Sequence, residues 1–183
     1  MIFLITLPKG WVSHPNLINK QNDIIKINQL GWVSPTLGTS INKMKLINLK
    51  TGAISIGESE ISLFDEFDKV YKQVGQQMKL AEQRLGIDEY NIKDVKVGED
   101  LLTLRLIFIQ RTLKSVEIYI QFNGLEEPNS WNDWTEQFEL KKKAKQNEWI
   151  DNQVGKKRIF NWGMIKSSFD RKCGYSSIII RRD

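Results

Sequence analysis

The residues best placed to do chemistry in this chain are Asp94-Val95-Lys96 and the carboxylates upstream of them, Glu82, Asp88 and Glu89. An acid two residues before a lysine on a strand, with further acids on a neighbouring element, is a layout used by metal-dependent nucleases. The carboxylates hold Mg²⁺ and the ammonium steadies the attacking water. On an alternating strand, however, an acid and a lysine two apart also simply mark the solvent face. Nucleophilic catalysis has less to draw on. His14 is the sole histidine and Cys173 the sole cysteine, they stand near opposite ends of the chain, and no catalytic motif surrounds either. His14, beside Pro15, reads as a loop residue. Zinc sites need several Cys and His. The glycines of Gly52-Ala53-Ile54-Ser55-Ile56-Gly57 fit a hairpin, because no lysine or helix start follows where a phosphate loop needs one. The expectation is a non-enzymatic protein without metal or cofactor, with a metal-dependent nuclease as an alternative.

Charge is the next source of information. The chain has 183 residues and a formal net charge of +5. Residues 1–128 carry 15 basic and 15 acidic side chains, so the whole excess lies in residues 129–183, with 12 basic and 7 acidic. The basic clusters are Lys141-Lys142-Lys143, Lys156-Lys157-Arg158, Arg171-Lys172 and Arg181-Arg182, interleaved with Phe160, Trp162, Phe169 and Tyr175. A basic end on a neutral body points to an acidic partner, whether protein, membrane surface or nucleic acid, or else to a solvated lysine-rich face. Rings beside cations are how single-stranded nucleic acid is held, which makes a nucleic-acid-binding accessory protein the second functional class. Phe160 and Trp162 alternate as core residues do, so their role is read as structural.

The elements that must position these residues follow from periodicity. Phe64, Phe67, Tyr71, Val74, Met78, Ala81 and Leu85 recur at spacings of three and four, which predicts one long central helix from Ser62 to Gly86, about 35 Å long. Ser62 and Asp65 would cap its start and Gly86 its end. A second helix is predicted from Ser130 to about Val154, with Trp131, Trp134, Phe138 and Trp149 as its apolar stripe. Lys142 and Lys145 share that angular sector, so either their stems snorkel along the core or the helix leaves the body there. Strands are predicted at Ile2–Leu7, at Lys43–Leu49 and Ala53–Ile56 around a turn at Lys50-Thr51-Gly52, and in a meander of Ile92–Val97, Leu101–Ile109 and Ser115–Phe122. A last pair, Lys157–Lys166 and Tyr175–Arg181, flanks a loop at Ser167–Gly174. The paired Gly-Trp-Val-Ser segments at residues 10–13 and 31–34 read as turns pinned by a buried tryptophan. The expected order is ββ-α-βββ-α-ββ, an α+β single domain over residues 1–183, with helices on a largely antiparallel sheet. One cysteine fits a reducing cytoplasm, and Ile2–Leu7 is too short for a signal peptide or membrane span.

The segment Ile159–Arg182 carries Phe160-x-Trp162-Gly163, then Ser168-Phe169-Asp170-x-Lys172-x-Gly174, then a strand from Ser176 to Ile180, preceded by a Trp-rich helix. This pattern, about a third of the chain, resembles the closing hairpin of some bacterial immunity proteins, small cytoplasmic partners that neutralise contact-delivered or polymorphic toxins. The resemblance implies stoichiometric binding of a cognate toxin domain. Because this end is basic, it further implies a toxin that is acidic at its contact surface, or one that is not a nuclease. The residues expected to meet the partner are Arg158, Arg171, Lys172 and Tyr175, with Lys141 and Lys142.

Overall fold

The computed structural model describes residues 45–128 and 130–182. The strand predicted at residues 2–7, both Gly-Trp-Val-Ser segments and His14 lie outside them, as does part of the expected single domain. In chain order the elements are β1 (Ile54–Ile56), β2 (Ser59–Ile61), α1 (Phe67–Val74), a 3₁₀ turn (Gly75–Gln77), β3 (Lys79–Arg84), β4 (Ile87–Val97), β5 (Asp100–Ile109) and β6 (Thr112–Gln121), then α2 (Glu136–Val154), β7 (Ile159–Phe160), β8 (Gly163–Asp170) and β9 (Tyr175–Arg181). The fold is α+β. A seven-stranded antiparallel sheet runs β3-β4-β5-β6-β9-β8-β7, with a small β1-β2 sheet beside it.

Alternation builds the core. Leu102, Leu104 and Leu106 of β5 lie opposite Ile120, Ile118 and Val116 of β6. Val116 and Ile118 in turn face Ile180 and Ile178 of β9, and Ile180 faces Ile165 of β8. All of these are buried and join one cluster with Ile54, Ile56 and Ile61 of the small sheet, Val70 and Val74 of α1, and Trp149, Ile150 and Val154 of α2. The predicted turn before β1 forms as a tight loop, with Gly52 at φ +73° and the Ala53 carbonyl accepting from Asn48 N–H. The sheet edges are blunted. β7 is two residues long, and β3 carries three charged side chains and a register break between Leu80 and Glu82.

The long central helix is the main correction. It ends at Val74, and Lys79–Arg84 is an edge strand paired with β4. Met78 still packs against the core, but Leu85, the last residue of the predicted stripe, is fully exposed. Gly75 breaks the run: Tyr71's ring lies where its Cβ would sit, and glycine weakens helix continuation. Lys79–Arg84 consists of strong helix formers, and pairing with β4 overrides that preference. Ser62 and Asp65 close a turn rather than cap the helix, the Asp65 carboxylate accepting from Ser62 N–H at 2.9 Å.

The second helix also starts later. Thr135 is its N-cap, accepting from Phe138 N–H at 3.1 Å, while Ser130 closes a preceding turn with Asp133. Its buried stripe is Glu139, Gln146, Trp149, Ile150, Gln153 and Val154 rather than a run of tryptophans. The last strands are redistributed too: the chain turns at Asn161-Trp162, β8 runs on to Asp170, and the closing turn shortens to Arg171–Gly174.

Candidate functional site

The polar residues on the buried side of α2 determine what lies beside it. Glu139, Gln146 and Gln153 stand seven apart, in one column facing the sheet. The Glu139 carboxylate accepts from Ser176 N–H at 2.7 Å, Gln146 Nε2 donates to the Ser176 carbonyl at 3.0 Å and Oε1 accepts from Ser167 Oγ at 2.7 Å, and Gln153 Oε1 accepts from Leu46 N–H at 2.8 Å. This column seats α2 on β8 and β9 and brings Lys142 to the start of β9. Lys142 takes the snorkelling course: its side chain is only 12% exposed and its ammonium ends 2.7 Å from the Glu127 carboxylate.

β6 and β9 pair through Ile118 and Ile178 and no further, although both strands run on. At this fork Tyr175 meets Tyr119 edge-on, with ring centroids 5.5 Å apart. Tyr119 is held un-ionised well above the usual range by burial first, then by its hydrogen bond to Glu117. The turn between β8 and β9 is rigid. The Asp170 carboxylate accepts from Lys172 N–H (2.8 Å) and Cys173 N–H (3.1 Å), and those backbone bonds, Cys173's first, hold its carboxyl below the ordinary value. Gly174, at φ +70°, lets its backbone lie against two tryptophans: a Cβ there would sit 3.2 Å from the Trp131 ring and 3.4 Å from that of Trp134. Trp134 is anchored by donating from Nε1 to the Gly174 carbonyl at 2.7 Å. Trp131 leans on it at 6.4 Å and is itself 75% exposed. Together Trp131, Trp134, Pro128, Tyr175, Glu127 and Lys142 line a recess of about 410 Å³.

Of the six residues expected to meet a partner, Lys142 and Tyr175 line this recess, and Arg171 and Lys172 form the turn beside it. Lys141 projects from the same stretch of α2 into a neighbouring recess with Glu126 and Phe138. Arg158 stands apart, beyond the C-terminal end of α2, and its guanidinium reaches back to Asp151, about 14 Å further along the helix than Lys142. It is engaged there, pairing with Asp151 and donating to the Gly155 carbonyl; Lys156 and Arg158 together pull the Asp151 carboxyl down. Acids also stand among the cations at the recess. Glu136 lies 3.3 Å from Arg171 and Glu127 holds Lys142, so the local field is weaker than the charge count of residues 129–183 implies. Trp131, Trp134 and Glu127 are the residues missed as site members. The signal was the loop composition of residues 129–135, Asn-Ser-Trp-Asn-Asp-Trp-Thr, which favours turns over a helix start.

The nuclease layout does not assemble. Glu82 lies on β3 beside Arg84, and Glu89 is buried between Arg84 and Arg105, 2.7 Å from Arg105 Nε. That N–H is not aligned for a hydrogen bond, so the contact is a charge pair. Asp88 accepts from Gln83. Asp94 sits at φ +60° in the bulge between Ile92 and Val95, about 20 Å along β4 from Asp88. Among the described residues no three His, Cys, Asp or Glu side chains gather to hold a metal ion, and no helix is long and apolar enough to cross a membrane. Compared with family models, curated proteins and solved structures, the chain matches none.

Proposed function

We propose that this protein acts by stoichiometric binding to another protein, and that the partner is a bacterial toxin domain neutralised in the cytoplasm of the cell that makes both. The observation that carries the reading is Trp131, exposed over a second, anchored tryptophan and a tyrosine, beside a rigid basic turn. Tryptophan, tyrosine and arginine are the side chains that dominate binding energy when a partner desolvates them. The resemblance of Ile159–Arg182 to immunity proteins supplies the class of partner. Trp131 and Tyr175 provide the buried contact, while Arg171, Lys172 and Lys141 steer the approach of an acidic surface.

The test is co-purification with the terminal domain of a secreted protein encoded beside this one, followed by stopped-flow binding. Trp131→Ala is expected to weaken the complex at least thirtyfold, mostly through faster dissociation. Charge reversal of Arg171 and Lys172 to Glu is expected to slow association, and salt should bring the wild type towards the variant's rate. Failure of the chain to protect cells from that domain, or indifference of the complex to both variants, refutes the reading. A Mg²⁺-dependent cleavage activity lost in Asp94→Ala and Lys96→Ala would replace it with the nuclease.

A further inference from the structure

A second surface, at the end of the sheet away from the tryptophan recess, gathers rings and cations that the proposed function does not use. Trp162 lies flat on the Gly52 backbone, where a Cβ would come within 2.4 Å of its ring, and donates from Nε1 to the Leu49 carbonyl at 3.0 Å. Phe160 stacks on Trp162, with centroids 4.7 Å apart and planes 6° from parallel. Lys157 Nζ stands 5.3 Å from the Phe160 ring. These rings sit on a two-residue strand and its turn, half-buried and packed against the edge of the core as the sequence implied, with the remainder of each ring left to solvent. The other platform is Phe64, exposed and held at φ +71° by its N–H donating to the Leu113 carbonyl at 2.7 Å. A bulky residue keeps that conformation only where its surroundings over-determine it, and such positions concentrate at binding sites. Lys114 Nζ lies 4.6 Å and the Arg182 guanidinium 5.4 Å from its ring.

The two platforms are joined by the sheet itself. Phe160 pairs with Gly163, where a Cβ would lie 3.4 Å from Arg182 Cα, and the Arg182 guanidinium stands over Phe64, so one row runs from β7 across β8 to the end of β9 and on to Phe64. Two inter-strand spacings, about 10 Å, separate Phe160 from Arg182. Asp151 takes up Lys156 and Arg158, but among the described residues no carboxylate pairs with Lys114, Lys157 or Arg182.

We infer that this row is a binding site for single-stranded nucleic acid. Two flat platforms a few nucleotides apart, each with a flexible cation free to leave the ring for a phosphate, fit unpaired bases on an extended backbone. A duplex hides its base faces, so an unpaired strand is the nucleic acid that uses both the rings and the cations. Binding of this kind is weak, tolerant of sequence and steeply salt-dependent.

The test is fluorescence anisotropy of a labelled oligothymidine across a salt series, with variants shown to keep the wild type's cooperative unfolding. Phe64→Asn, which tolerates the left-handed backbone, and Phe160→Leu should each weaken binding about tenfold. Phe64→Tyr and Phe160→Tyr should restore it. Lys114→Gln with Arg182→Gln should lower the log–log salt slope by about 1.4. Trp131→Ala should change nothing, which separates this site from the protein-binding face. The inference is overturned if the wild type does not bind, if ring removal leaves affinity unchanged while charge removal lowers it, or if polyglutamate displaces the oligonucleotide as well as unlabelled oligothymidine does.

Discussion

Replacing Gln146 by methionine tests what seats α2 on the sheet. Gln146 is completely buried and makes two hydrogen bonds, to the Ser176 carbonyl and from the Ser167 hydroxyl. Methionine occupies a similar volume and is adaptable, so a cavity contributes little. What is lost is the pair of bonds, about 1 kcal/mol each net, plus the cost of a buried carbonyl and hydroxyl left short of partners, for a total of about 2–4 kcal/mol. The lower half of that range is expected, because the Ser167 hydroxyl lies 3.5 Å from the Lys143 carbonyl and can turn to it. At a urea m-value of about 2 kcal/mol/M, the midpoint should fall by about 1–1.5 M with the slope unchanged. Adding Ser167→Ala should then change stability by less than about 1 kcal/mol, since the hydroxyl it removes has the Lys143 carbonyl as partner. A Gln146→Met protein within about 0.5 kcal/mol of wild type would refute the argument that polar contacts, rather than Trp149, Ile150 and Val154, fix the position of α2. The same measurement bears on the tryptophan recess, because the register of α2 places Lys142 against Glu127.

Gly174→Ala should cost about 1–2 kcal/mol, from its positive φ and the approach to the Trp131 ring, and read out as a lowered Tm. Asp170 has a depressed carboxyl, so its contribution is present above its unfolded value near 3.9 and is lost as the pH falls below that. Asp170→Ala should therefore be less stable than wild type at neutral pH, with the gap closing at acid pH in urea titrations. Tyr119 is raised, so its contribution is full below about pH 10 and fades above it. Tyr119→Phe should flatten the loss of stability between about pH 10 and 12, and an unchanged alkaline limb would contradict the burial of that hydroxyl.

The meander was legible because nothing local competed with it. Val116, Ile118, Ile120 and Phe122 alternate, and each strand's turn is marked by Gly98 or by the polar Gln110-Arg111. The long helix was misread for the opposite reason. Phe67, Val74 and Met78 do follow helical spacing and do reach the core, yet Phe67 and Val74 reach it from a helix and Met78 from the chain beyond the 3₁₀ turn. Pairing with β4, not periodicity, decides the conformation of Lys79–Arg84: its partners stand 3 to 12 residues on, across the Leu85-Gly86 turn, and a glycine at that turn reads equally well as the end of a helix.

The candidate site was half legible for a related reason. Hydrophobic patterning finds apolar faces, but the face that α2 turns to the sheet is Glu139, Gln146 and Gln153, and its charge pairs and amide bonds look like a solvent face in the sequence. With the true stripe hidden, Trp131 and Trp134 were assigned to the helix to supply one. Once Thr135 is the cap, those tryptophans belong to the loop and are free to cover Gly174, and the basic turn that charge alone had picked out acquires its aromatic neighbours. Charge counting, in turn, could not distinguish Arg158, clamped on Asp151, from Lys157 and Arg182, which stand over rings and pair with no carboxylate among the described residues. The division of the basic residues into one set at the tryptophan recess and another at the Phe160–Phe64 row follows from how β6, β8 and β9 pair. The two surfaces proposed to bind therefore lie at opposite ends of one sheet, and each proposal can be tested without the other.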